Sequence, residues 1–265
     1  MKKIPVYQAD AFTDKPFHGN PAAVCPLNEW LPDSTMQLIA KENNLAETAF
    51  IVPYENAYQI RWFTPSTEVD LCGHATLASA YVYFYVLHYP GEKLRFFSKS
   101  GWLTVIKETN GKLTLDFPAD PPAIVASPEE NIFKGLGIGP VPVYKGKFDY
   151  LVEMETEEKV DQLKPDLRIL STLKSRGLIV TAHGNNVDFV SRCFFPQSGI
   201  DEDPVTGSAH CMLTSYWNMK TGKTSFSAIQ LSERKGWLDC KLSGDRVLMS
   251  GNAVLFLQGE IMIDD

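Results

Sequence analysis

The chain has 265 residues, 44% of them hydrophobic and 22% charged, with a formal net charge of −7. That is enough apolar material for one large domain or two ordinary ones with sizeable cores, while the acidic balance and the lack of a Lys/Arg stripe argue against a nucleic-acid partner. The five cysteines, at 25, 72, 193, 211 and 240, form no CxxC and no regular spacing, which excludes a disulfide framework and a four-thiolate metal site and fits reduced thiols in a cytoplasm.

The opening MKKIPVYQADAF reaches Asp10 before an apolar run of signal-peptide length develops, so it reads as unprocessed. Alternating patterns predict strands at 6–12, 50–53, 58–63, 102–107 and 112–117. A first helix is expected over 33–42, with Asp33 or Ser34 as its cap, Met36, Ile39 and Ala40 on one face, and Asn43 and Asn44 ending it. Over 74–88, Ala75, Leu77, Ala78, Ala80, Tyr81, Phe84, Tyr85 and Leu87 cover every side of a second helix, leaving no polar stripe. Such a helix has to be wrapped, and in a strand-rich chain the wrapper is a curved sheet closing around it. Its apolar run is about half a bilayer span and dense in tyrosine, so no membrane crossing is expected.

From Phe117, FPADPPAIVASPEEN carries four prolines and reads as a linker between halves 1–118 and 119–265, with the last strand able to return to the first half. The chain then repeats itself: AFIV (49–52), RWFTP (61–65) and GHA (73–75) are echoed in order by GLIV (177–180), RCFFP (192–196) and GSA (207–209). A second helix with little polar face follows, carrying Ala209, Cys211, Met212, Leu213, Tyr216, Trp217 and Met219. The expected class is α+β, in two pseudo-symmetric domains, each a barrel-like mixed sheet wrapped around a central helix. The acidic stretch 153–161 reads as a solvated surface.

Each half thus offers a glycine at a helix start, Gly73-His74 and Gly207-Ser208, where unpartnered amides and the helix dipole attract a carboxylate or phosphate. Related by an approximate twofold axis, the two starts would grip a small anion in an interdomain cleft. Acids lie nearby. GIDEDPVTGSAH places Asp201, Glu202 and Asp203 before the second start, and NNLAETAF places Glu47 among Leu45, Ala46, Ala49 and Phe50, where desolvation makes it a candidate proton-transfer residue, although the local sequence by itself favours a partly exposed strand-edge glutamate.

The segments DAFTDKPFHGNPAAV (10–24), NLAETAF (44–50), RWFTPSTEVDLCGHATLA (61–78), EDPVTGSAH (202–210) and SGNAVLFLQGEI (250–261) resemble, in order and along the whole chain, those of the PhzF family of isomerases, which share the diaminopimelate epimerase fold. The resemblance implies no cofactor and no metal, a small carboxylate substrate, a homodimer, Glu47 as the proton-transfer group, and His74, Asp203 and Ser208 assisting in proton handling and in holding the substrate carboxylate. Gly73 and Gly207 would add their amides to that grip. The related epimerases place a cysteine before each of these glycines. Here the two positions hold Cys72 and Thr206, and a threonine hydroxyl cannot serve as a thiol acid/base, so the two-thiol mechanism is not expected and Cys72 reads as a packing residue.

Other chemistries fare less well. A metal on Cys72 and His74 lacks further ligands in sequence. A thiol nucleophile with His74 as base is disfavoured because residues two apart at a helix start do not naturally meet, and Ser208 and His210 leave one helical turn in different directions. The remaining alternative is a non-catalytic small-anion binding protein on the same scaffold. Against it stands the joint presence of Glu47, His74 and Asp203, which binding alone does not require.

Overall fold

The computed structural model describes residues 1–264. The chain forms two compact units, one of Met1–Asp116 with the C-terminal segment from Ser250 onward, the other of Phe117–Met249.

The first unit contains β1 (Lys2–Ala11), β2 (Asn20–Pro26), α1 (Asp33–Asn43), β3 (Glu47–Tyr54), β4 (Ala57–Phe63), β5 (Glu68–Val69), α2 (Gly73–Tyr81), β6 (Lys93–Ser98), β7 (Gly101–Lys107) and β8 (Leu113–Pro118), together with the C-terminal strand Ala253–Ile263. The second contains β9 (Ala123–Ile124), α3 (Glu130–Leu136), β10 (Val143–Lys145), β11 (Asp149–Glu153), α4 (Glu157–Asp161), α5 (Leu167–Leu170), β12 (Gly177–His183), β13 (Phe189–Phe194), α6 (Gly207–Thr221), β14 (Ser225–Gln230), β15 (Gly236–Ser243) and β16 (Arg246–Gly251).

Strand pairing repeats between the units. In the first, β2 runs parallel to β3, β3 antiparallel to β4, β4 parallel to β6 across α2, and β6 antiparallel to β7. In the second, β11 runs parallel to β12, β12 antiparallel to β13, β13 parallel to β14 across α6, and β14 antiparallel to β15. The C-terminal strand pairs antiparallel with β1. The echoed motifs occupy the same places in this order, so the repeat read from three short segments is a repeat of architecture.

Both central helices are wrapped because they have nothing to show water. His74 to Ala80 of α2 are all buried, and α2 packs on β1, β2, β3 and β7. Its hydroxyls are satisfied inside the helix, Thr76 Oγ1 donating to the Cys72 carbonyl (2.5 Å) and Ser79 Oγ to that of Ala75 (2.6 Å). α6 does the same, with Thr214 on His210 (2.6 Å) and Ser215 on Cys211 (2.9 Å). Around α6, Leu151, Ile179, Phe189 and Cys193 face inward onto Met212, Leu213, Tyr216 and Trp217, while their strand neighbours Tyr150, Val152, Leu178, Val180 and Val190 pack outward under α3, α4 and α5. The alternation of two buried faces explains why GLIV is an unbroken apolar run.

Several local expectations need correction. α1 has Pro32 at its N-cap, and no side chain caps it, so neither Asp33 nor Ser34 does so; Asn44, left-handed at φ 49°, does end it. The second helix is α-helical only to Tyr81 and continues as a π-helical turn over Val82–Val86, where five bulky residues in succession crowd the wall. The acidic stretch is only partly solvated: Glu153 ends β11 and accepts from the Tyr216 hydroxyl and Lys220. Among the described residues no helix is long and apolar enough to cross a membrane.

Candidate active site

In the first unit the start of α2 is fixed from below by Arg61 on β4. Its guanidinium forks onto Glu68 (Nε–Oε1 2.7 Å, Nη2–Oε2 2.9 Å), four residues before Cys72. The second unit repeats the clamp: Arg192 on β13 forks onto Glu202 (2.7 and 2.8 Å), four residues before Thr206. A planar bidentate pair on a strand end sets the register of each loop leading to a helix start. Glu202 is therefore a structural acid.

Cys72 is the N-cap of α2, extended at φ −143° and ψ 113°, and its side chain makes no capping hydrogen bond. Parallel pairing of β2 and β3 sets Ala22 beside Glu47, so the first residues of both strands, Asn20 and Glu47, come to this end of α2. Gly19 makes the approach of Asn20 feasible: its φ is +63°, and a Cβ there would lie 2.1 Å from the Ala11 carbonyl oxygen. The outcome is a cluster centred on His74. Glu47 Oε2 lies 3.1 Å from His74 Nε2, with side chains 12% and 5% exposed. On the other side of the ring, Asn20 Nδ2 lies 3.1 Å and Cys72 Sγ 3.6 Å from Nδ1.

The Glu47–His74 contact is close, yet neither Oε2 nor Nε2 has a well-aligned hydrogen bond, although both atoms are sealed from water. Burial opposes a charge on His74, but the Cys72 sulfur and the Glu47 carboxylate outweigh it and hold the imidazole well above the ordinary histidine value. The Cys72 thiol is itself pushed up to about 11, first by burial and then by the Glu47 charge. A thiol that high is neutral at pH 7, which leaves the Glu47 carboxylate as the group that raises the ring against its burial. The Asn20 amide follows the ring's proton: a bare Nδ1 accepts from its N–H, and a protonated Nδ1 needs its oxygen.

Two expectations change here. Cys72 and His74 do meet, because the extended N-cap swings the thiol back over the first helical turn. Glu47 joins them, so three ligand-type residues lie within 4.8 Å of one another. Glu47 approaches the ring at Nε2 and Cys72 approaches it at Nδ1.

In the second unit Thr206 caps α6 with extended backbone and no side-chain bond to the first-turn amides, leaving Gly207 and Ser208 at an open helix start. Thr206 Oγ1 donates to Asp203 Oδ2 (2.6 Å). Gln230 on β14 staples the loop, taking the Thr206 amide on Oε1 (2.8 Å) and giving Nε2 to the Asp203 carbonyl (2.6 Å). Ser208 Oγ accepts from Arg176 Nη2 (2.9 Å). His210 turns inward: Nδ1 donates to the Thr206 carbonyl (2.8 Å), Nε2 is buried without a partner, and burial pushes the ring down to about 4.

Glu47, His74 and Gly73 thus assemble in the first unit, and Asp203, Gly207 and Ser208 in the second. Asn20, Thr206, Gln230 and Arg176 were not singled out as site residues from sequence. Asn20 had a signal, a polar residue in HGNP opening an apolar strand. Arg176 and Gln230 had none, because their partners lie 32 and 24 residues away.

The model of the PhzC-PhzF family, phenazine biosynthesis-like protein, matches residues 9–259. The chain belongs to that family. An uncharacterized isomerase of Pseudomonas aeruginosa is 51% identical over 98% of this chain and 99% of its own length. The crystal structure of a PhzF-family phenazine biosynthesis protein from Enterococcus faecalis superposes with a TM-score of 0.95 at 45% identity, covering 99% of this chain and 100% of that one. A probable proline racemase from Agrobacterium radiobacter shares the fold alone, at TM-score 0.67 and 9% identity over 98% of this chain and 93% of its own. With family membership goes the enzyme class, isomerase.

Proposed function

We propose that the protein is a cofactor-independent isomerase of a small carboxylate, with Glu47 as the group that takes a proton from one carbon and returns it to the same face of the substrate. The observation that carries this reading is the Glu47–His74 pair: a half-buried acid and a buried imidazole 3.1 Å apart, each with a buried atom lacking an aligned partner, at the start of α2. As a carboxylate Glu47 is the acceptor for a C–H proton; His74, held protonated, stabilises the charge that develops and restores a proton when needed. Asn20 fixes the ring from behind.

In this reading the amides of Gly73 and Gly207 and the Ser208 hydroxyl are carboxylate-binding groups, and Asp203 handles protons. At both starts an extended N-cap, Cys72 or Thr206, is followed by a glycine, Gly73 or Gly207, which supports an anion-binding role for each.

The test is solvent deuterium incorporation into a panel of amino acids and cyclic carboxylates, with the wild type and Glu47→Gln. Turnover on a true substrate falls at least about a hundredfold in the variant, the usual worth of a general acid/base. A fall of less than about threefold overturns Glu47 as the proton carrier.

A further inference from the structure

Arg176 stands just before β12 and is held on three sides. Its Nε bonds Asp149 Oδ1 (3.0 Å) and its Nη2 bonds Asp149 Oδ2, Asp149 being only 4% exposed. Its guanidinium carbon lies 5.2 Å from the Phe148 ring centroid and 5.3 Å from that of Phe195. Its backbone amide donates to the Phe148 carbonyl (3.0 Å). With so much fixed, Nη2 donates to one further acceptor, Ser208 Oγ at 2.9 Å, on the first turn of α6.

Two consequences follow from elementary chemistry. The Asp149 carboxylate, forked onto the guanidinium in a largely dry setting, neutralises most of the charge of Arg176, so the pair adds little field of its own at the helix start. A serine hydroxyl that accepts from an arginine spends an oxygen lone pair there, while its single O–H remains available to donate. Among the described residues, Arg176 is the one side chain to which a hydrogen bond of Ser208 Oγ is assigned. The Ser208 O–H, on the first turn of α6 beside the Gly207 amide, is thereby left to act as a donor.

We infer that Arg176, braced by Asp149, is a positioning residue that polarises Ser208 into a hydrogen-bond donor for the substrate carboxylate at the α6 start. The inference rests on the functional reading above and adds to it a residue and a direction for the Ser208 hydroxyl.

The experiment titrates 15N-labelled protein with sodium benzoate and follows the Gly207 amide. In wild type the amide shifts saturably. Arg176→Met and Ser208→Ala each weaken benzoate by about tenfold, the loss expected of a charge-assisted hydrogen bond to an anion, and the double variant is no weaker than either single one. Arg176→Met leaves Asp149 buried without its partner, so Arg176→Met/Asp149→Asn is measured alongside and binds as weakly as Arg176→Met. Arg176→Lys, which keeps the charge but not the planar fork, recovers little. Full recovery by Lys overturns the positioning role in favour of bare charge, and additive losses in the double variant overturn the coupling to Ser208. A wild-type Gly207 amide indifferent to benzoate overturns the anion reading of this helix start and the inference with it.

Discussion

Gly236 opens β15 opposite Gln230, the residue that staples the Asp203–Thr206 loop. A Cβ built on it would lie 2.2 Å from Val205 Cγ2, 3.2 Å from Cγ1 and 3.3 Å from Cβ. Carbon atoms in good contact sit about 3.5–4.0 Å apart, so the overlap with Cγ2 is roughly 1.5 Å. Val205 is fully buried and short, its branch point itself only 3.3 Å away, and it cannot swing aside as a long side chain would. Gly236→Ala therefore strains the loop by the usual cost of overpacking, about 1–3 kcal/mol, which in a chain of this size lowers the thermal midpoint by roughly 2–12 °C at about 2–4 °C per kcal/mol. Because Val205 lies between Pro204 and Thr206, activity is lost as well as stability. The check is a double-mutant cycle by calorimetry. Val205→Ala removes both Cγ atoms, so adding Gly236→Ala to it costs at most a few tenths of a kcal/mol. A Gly236→Ala protein melting within about 1 °C of wild type, or one whose full penalty persists in the Val205→Ala background, refutes the steric account.

His210 gives a pH dependence. Its native value of about 4 lies below the ordinary histidine value, so the stability it contributes is complete above about pH 6.5 and is lost as pH falls toward 4, because the unfolded state takes up the proton first. The interval corresponds to about 3 kcal/mol; His210→Gln abolishes that acid-side loss, which urea titrations at pH 7 and pH 4 measure, and equal pH slopes for the two proteins disprove it. Leu77, fully buried at the centre of α2 inside the wrapped sheet, costs about 2–5 kcal/mol when cut to alanine, read as a lower urea midpoint with unchanged slope. A loss under about 1 kcal/mol there means that the wall collapses onto the helix more readily than its packing implies.

The family relation settles the class of the enzyme, and the same Arg clamp recurs in both units. Arg61–Glu68 and Arg192–Glu202 are the same device at the same spacing from the two helix starts. What differs is the residue after each glycine. His74 in the first unit faces a carboxylate, whereas Ser208 in the second faces an arginine.

Much of this was legible in the chain itself, because it depends on neighbours in sequence. Apolar residues on every side of 74–80 require a wrapped helix, glycine after an extended residue marks each helix start, and the echoed segments carry the repeat. Glu47 and His74 were recognisable as chemistry-bearing residues by type and setting. Their partners were not. Parallel pairing of β2 with β3 decides that Asn20 and Glu47 reach one end of α2, and parallel pairing across α6 decides that Gln230 reaches the Asp203 loop. The extended N-cap brings Cys72 onto the ring of His74, against the expectation from spacing. Contacts between residues tens of positions apart depend on strand register and loop closure, which only the tertiary structure fixes.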